Sequence, residues 1–513
     1  MSQRRRAIML GFDAAGFETI EQLVGEGRLP NLGRLMHDGC FGKLSARADL
    51  YAGGVWPCFY TGQATPWHGV FHNKLWRPDA MRAEVPSDDW ISARPFWESL
   101  SDANLNLCIV DVPMVVDRPK PIRGMYLAGW GTHDLIHPGS SPSSLWPELE
   151  RRFGSPIMPK EHFGKQTSKS LERLRATLLA STDQMCEIAI DLLDRDSWDF
   201  ACIVFGAIHR AGHYLWDHSQ IDEQYTERGN ADVLAPSLTD VYESADAALG
   251  RVLEHVSRDT LVIVFAAHGM GPNPGWSDLL PNILAELERH RSGKSPTRGL
   301  LYQLKQLLPF HWIRPILTRL PTSVTDRLVP LWSQTMFDWN ETPYFPVPMD
   351  HAGYLRINLR GRETQGIVTT SEYASLCSEL ERLLRSLRDE ASGEPLVADI
   401  VRAYEEADAD APARALIPDL IVCWNGRPAR SVRRVVSSEL PDFAYDVPRF
   451  LPSGRSGNHT DDGWFAARGP DVATKVLVAR HSVLDLAPTI LEYFGVDRGS
   501  RIQGSPIDLR SSQ

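Results

Sequence analysis

The sequence predicts an α/β protein, a three-layer sandwich built on a mostly parallel central sheet. Three observations carry that expectation. Short runs rich in β-branched and aliphatic residues recur along the chain, and they are continuous rather than alternating, as strands buried on both faces of a parallel sheet require. Stretches with the 3.6-residue apolar period of helices separate them. The runs also end near Gly, Asp or His, beyond the carboxyl ends of strands, where such sheets bind their ligands.

In chain order, the first run is 7–11 (AIMLG), led by a basic tip and followed by Asp13 and a helical pattern over 17–36. The second is 107–112 (LCIVDV). A helical stretch over 170–194 precedes the third, 199–205 (DFACIVF), with His209 and His213 just beyond it. The fourth, 260–266 (TLVIVFA), runs into His268. After a helical pattern over 371–387, the run 420–424 (LIVCW) reads as a fifth strand. Residues 271–345 interrupt the alternation. They are expected to form a helical insertion or lid, leaving 1–270 and 346–513 as the core. Within the insertion, 298–332 is amphipathic and broken by prolines, and its Lys, Arg and Trp content also fits a weak contact with a membrane surface.

The 513 residues carry a formal net charge of −11, which argues against a nucleic-acid polymer as partner. No apolar run reaches the roughly 18 residues needed to cross a bilayer. The apolar stretch after the Arg cluster is shorter than the roughly 7–15 residues of a secretory core. Seven cysteines, odd in number and without CxxC pairs, suit a reducing compartment, so a cytoplasmic location is expected. Oligomeric state is not readable.

His209 and His213 stand four apart, so a helix there would put both imidazoles on one face, within reach of one ion. His268, beside Gly269 and Gly271, is either a satisfied polar group or a ligand on a loop that excludes bulk. His459 lies in a Gly-rich loop. Asp13, placed directly after a buried strand, needs a partner or a cation, or else caps the following helix. Arg210 could stabilise a transferring anion or pair elsewhere. His133 (GWGTHD) could enter the pocket. Asn73 could approach an anionic substrate, and Tyr51 reads as a pocket wall. His68 is expected at a helix end as a cation favoured by the dipole.

Jointly these segments resemble the alkaline phosphatase superfamily, in its type I phosphodiesterase/nucleotide pyrophosphatase branch. The opening GFDAAG is similar to the first metal-aspartate motif. The segment 55–68 (VWPCFYTGQATPWH) with Gly69 is similar to the nucleophile helix and the signature after it. The segments 198–216 and 265–271, the His459 to Gly469-Pro470 stretch and the closing LDLAPTILEYFGV follow in the family's order.

The resemblance implies a hydrolase that moves a phosphoryl or sulfuryl group with zinc ions and a Thr, Ser or modified Cys nucleophile. This chain departs from it at three places. Ala52 falls at the nucleophile position, His209 stands where the family has an Asp ligand, and Ala267 replaces the Asp of Asp-His-Gly. One ion would then keep three imidazole ligands, His209, His213 and His459. The second site would retain only Asp13 and His268, too few to close it, so those two could instead position water or substrate. The expectation is one well-held zinc and a small phosphoester substrate, phosphodiester or nucleotide-like. Metal-activated water would replace the side-chain nucleophile. A phosphoryl-group transferase in glycan or natural-product assembly and a non-catalytic relative are the alternatives.

Overall fold

The computed structural model describes residues 5–91, 93–116, 120–132, 137–159, 164–195, 198–221, 236–293, 337–347 and 351–510. The chain folds as two compact units, the first formed by 1–73, 87–273 and 450–513, the second by 74–86 and 274–449.

Among the described residues, the first unit is built on a ten-stranded sheet. Its centre is Ala7–Phe12, flanked in parallel by Phe200–Phe205 and Leu261–Ala266, with Leu10 level with Ile203 and Val264. Leu107–Val110 and Gly124–Ala128 continue the parallel order on one side. Gly463–Arg468 joins antiparallel on the other, between Leu261–Ala266 and Cys40–Ser45. All six residues of each of the three central strands are buried. That is why their sequences are apolar without alternation.

Both faces are covered. Ile8, Leu10, Ile203 and Val264 pack into one core with the helices Ser168–Arg195 and Ser237–Glu254. The opposite face carries Val55–Thr61, Phe96–Asp102 and Leu486–Phe494, which contact one another. An aromatic cluster fills that layer: Phe59 lies 4.9 Å from Phe265, and Phe96 lies 5.7 Å from Phe200, between ring centres. The architecture is therefore the expected three-layer α/β sandwich with a mostly parallel sheet.

Two local readings change. The pattern over 17–36 is two helices, Phe17–Gly25 and Pro30–Asp38, because the chain turns through Gly27 at φ 73° and restarts at Pro30, the first-turn position that proline favours. Leu420–Trp424 does not belong to the parallel sheet. It pairs antiparallel with Gly353–Ile357 and Val397–Val401 in a four-stranded sheet of the second unit. An apolar run records burial but not which sheet supplies it.

The domain boundary shifts accordingly, since 346–449, assigned from the sequence to the core, belong to the second unit, as do 74–86. This unit contains the helices Trp276–Ser292 and Thr370–Arg385, the latter started by a capping box between Thr369 and Glu372. Arg356, fully buried, is held by Glu363 at 2.5 Å and by the carbonyls of Ala415, Leu416 and Ile417. Arg362 joins Asp419 at 2.7 Å, and Tyr373 donates to the same carboxylate. Of the proposed insertion, 294–336 lie outside the described residues, and with them the whole of 298–332. Among the described residues, no helix is long and apolar enough to cross a membrane.

Candidate metal centre

The strand Phe200–Phe205 hands over at Gly206 to the helix Ala207–Tyr214, and the 3.6-residue repeat brings His209 and His213 onto one face. The third imidazole arrives on Gly457–Thr460, which forms a two-stranded ribbon with Gly269–Pro272 and places His459 opposite Met270. Two glycines permit this approach. A Cβ on Gly457 would come within 2.0 Å of the Gly212 carbonyl oxygen, and one on Gly212 within 2.5 Å of Met270 Cγ.

The result is a buried cluster. One ligand atom each from His209, His213 and His459 lies within 4.8 Å of the others. The ring centres of all three pairs are 4.9 Å apart. His268, at the end of Leu261–Ala266, stands 4.9 Å from His459 and 6.0 Å from His209. None of the four is more than 6% exposed.

The partners of the rings fix their protons. His209 Nδ1 faces Asp13 Oδ2 at 2.8 Å, and His213 Nδ1 faces the Gly457 carbonyl at 3.0 Å. An ionised carboxylate and a carbonyl only accept, so each ring must donate from Nδ1. The two Nε2 lone pairs then face each other across 3.1 Å. Two lone pairs at that separation repel unless a cation lies between them. Four-coordinate zinc with nitrogen at about 2.0–2.1 Å places its ligand atoms about 3.3 Å apart, so the His209–His213 pair fits such an ion, and His459 brings a third ligand atom within 4.8 Å of theirs. Carboxylate and carbonyl partners behind metal-binding imidazoles are the usual outer layer of these centres.

Electrostatics agree with this arrangement. Burial, the charge of Arg455 and the neighbouring imidazoles hold His213 well below the usual histidine range, which keeps it a neutral donor. Burial pushes Asp13 up, but its pairing with His209 and the hydrogen bonds it accepts from the His209 and Trp56 N–H groups outweigh it, and the carboxylate stays ionised; those bonds need only a neutral His209 that donates from Nδ1.

A family model described as type I phosphodiesterase / nucleotide pyrophosphatase matches residues 7–427, well over half of the chain. The chain belongs to that family. With it, the protein falls among the phosphoester hydrolases of the alkaline phosphatase superfamily. No curated protein matches the sequence. Among solved structures, the fold is similar to wild-type alkaline phosphatase PafA, at 12% identity with 100% of both chains covered and a TM-score of 0.56. It is also similar to murine ectonucleotide pyrophosphatase/phosphodiesterase 5, solved as an inactive variant in complex with AMP. That match has 10% identity, covers 99% of this chain and 100% of the other, and has a TM-score of 0.50.

Within this family frame, Asp13 does not join the three-imidazole group. Oδ2 accepts the hydrogen bond from His209 Nδ1–H, and Oδ1 accepts the indole N–H of Trp56 at 2.8 Å. The indole reaches it because Gly11 leaves room, where a Cβ would lie 3.0 Å from Trp56 Cη2. Sequence reasoning missed Trp56, which reads there as one more apolar residue of the helix. Ala52 lies in the 3-10 turn Ala52–Gly54, and the following helix starts at Val55, so no hydroxyl or thiol stands at 52–55.

The remaining candidates are placed as follows. The short helix Ala48–Tyr51 contacts the strand bearing His459, and the buried Tyr51 stacks 6.0 Å from Phe71. Asn73 is exposed just beyond. Arg210 is buried between the two ligands on the helix, about 100° around the axis from His209 and about 60° from His213. His133 lies outside the described residues; the loop before it is clamped by Asp111, whose carboxylate accepts the backbone N–H groups of Gly129, Trp130, Gly131 and Thr132. His68 is not a cation at a helix end. It is 1% exposed, burial lowers it to about 3, its Nδ1 accepts from Val70 N–H at 3.0 Å, and Nε2 lies 3.4 Å from Cys58 Sγ. The expectation weighed the helix dipole and overlooked desolvation. Cys58 is inert by the same cause, pushed up to about 12.

Proposed function

We propose that this family member is a metal-dependent phosphoester hydrolase that holds one ion on His209, His213 and His459 and uses water as the attacking group. The observation that supports it most is the pair of Nε2 atoms 3.1 Å apart, whose Nδ1 protons are already committed to Asp13 and Gly457. A divalent ion on three neutral imidazoles supplies undiminished positive charge and Lewis acidity to water and to a phosphoryl oxygen.

The chain's own residues do the rest. Asp13 fixes the His209 tautomer and, as a buried carboxylate, offsets charge at the centre. Trp56 fixes Asp13. His268, beside His459, is the group placed to exchange a proton with water or a leaving oxygen. Tyr51 walls the pocket, and Asn73 and Arg210 remain candidates for contact with an anionic substrate.

A second site would keep only Asp13 and His268, since Ala52 and Ala267 offer no ligand atom, and two ligands make a poor site. No step is assigned to a second ion. The family's description makes a phosphodiester or nucleotide-like ester the expected substrate class. Water attack predicts inversion at a chiral phosphorus centre in a single turnover. Retention would mean a covalent intermediate on a side chain and would overturn the proposal.

A further inference from the structure

A cavity of about 250 Å³ shares no residue with the histidine cluster. It lies beside the helix Phe96–Asp102 and the strand Gly124–Ala128, and Trp97, Val115, Val116 and Tyr126 form part of its wall. Tyr126 is 3% exposed, and its hydroxyl has no hydrogen-bond partner among the described residues. Native proteins rarely leave a buried hydroxyl in that state without an occupant that accepts from it. Burial, with the nearby charge of Glu98, keeps the phenol protonated, so it presents a donor.

The charged residues of the wall are nearly balanced. Arg94 pairs with Glu98 at 2.5 Å, and Lys120 pairs with Asp88. Arg94 also holds Asp102 at 2.9 Å, whereas Arg501 forms no ion pair among the described residues, so its guanidinium is the charge left to meet a ligand. A monoanion would neutralise it, whereas a dianion would bring a second charge into a half-apolar space without a counterion. An apolar cavity of about 150 Å³ accommodates benzene, so this one has room for a ring or short chain carrying a small polar head. It is smaller than the roughly 300–1,000 Å³ typical of drug-sized ligands.

We propose that this cavity binds a small apolar monocarboxylate, with its body against Trp97, Val115 and Val116, a carboxylate oxygen accepting from the Tyr126 hydroxyl, and its charge toward Arg501. The site is independent of the metal centre and does not rest on the hydrolase reading.

The test is calorimetric and saturation-transfer titration of the full chain with phenylacetate and hexanoate, with benzyl alcohol as the uncharged comparison. One site per chain is expected for both carboxylates, with weaker binding of the alcohol. The near-isosteric Tyr126→Phe should weaken binding about five-fold, and Arg501→Gln should weaken it by a similar factor and reduce its salt dependence. His459→Ala should leave it unchanged. Three results would overturn the proposal: no binding of either carboxylate below about 10 mM, a Kd corresponding to roughly 3 kcal/mol; affinity unmoved by both substitutions; or binding lost in His459→Ala, which would put the carboxylate in the histidine cluster instead.

Discussion

Replacing Asp13 by Asn changes one atom of the carboxylate and should disable the histidine behind which it stands. Asp13 accepts two hydrogen bonds, at 2.8 Å from Trp56 Nε1 and 2.8 Å from His209 Nδ1. An indole N–H can only donate, and His209 must donate from Nδ1 if Nε2 is to bind metal. Asparagine has one acceptor oxygen and one NH₂, so one of the two donors must then face another donor. Either the indole loses its partner, or His209 turns to the other tautomer and surrenders its metal-binding lone pair. Loss of such an outer-layer partner lowers metal affinity ten- to a hundred-fold, about 1.4–2.8 kcal/mol. Competition titrations of zinc and cobalt against a chelator measure it directly.

The double variant Asp13→Asn with Trp56→Phe sharpens the test. With the indole donor gone, the asparagine oxygen can turn to His209, so the double variant should bind metal more tightly than Asp13→Asn alone. If Asp13→Asn binds as wild type does, or if the second substitution only adds to the loss, the assignment of Asp13 and Trp56 is wrong.

Three further outcomes are expected. Because His68 has a folded pKa of about 3 against about 6.5 unfolded, the unfolded chain takes up the proton first; its contribution is complete above pH 6.5 and is lost toward pH 3 at about 1.4 kcal/mol per unit. Urea unfolding at pH 6.5 and 4.5 should show His68→Gln losing about 2–3 kcal/mol less than wild type across that interval, and equal losses would refute it. Gly457→Ala, whose methyl group would press on the Gly212 carbonyl from 2.0 Å, should cost at least ten-fold in metal affinity by forcing the His459 strand off the His213 helix; unchanged affinity would show that the segments have slack. Arg356→Met, which leaves the fully buried Glu363 with Arg362 as its remaining arginine at 3.0 Å and strips three carbonyls of their shared donor, should destabilise the protein by about 2–3 kcal/mol in denaturant titrations, and a loss below about 1 kcal/mol would argue that the network is dispensable.

What could be read from the sequence followed from how strongly the chemistry restricts residue type. Strands such as 199–205 and 260–266 are apolar on both faces because the sheet buries both, so their existence and the ligand types at their ends were visible. The four-residue spacing of His209 and His213 encodes a shared helical face. The partners that commit their protons were invisible: a carbonyl at Gly457 leaves no mark on sequence, and Trp56 meets Asp13 only after the chain folds an aromatic layer over Gly11. Leu420–Trp424 was misassigned because hydrophobicity carries no information about pairing partner. His68 was misjudged because burial, at 1% exposure, acts on an imidazole more strongly than a short helix dipole does.

The most direct measurement is elemental analysis of freshly purified chain beside His209→Ala. About one divalent ion per wild-type chain and essentially none in the variant is the predicted result. Two ions per wild-type chain, or an ion content that His209→Ala leaves intact, would contradict a centre made of His209, His213 and His459 alone.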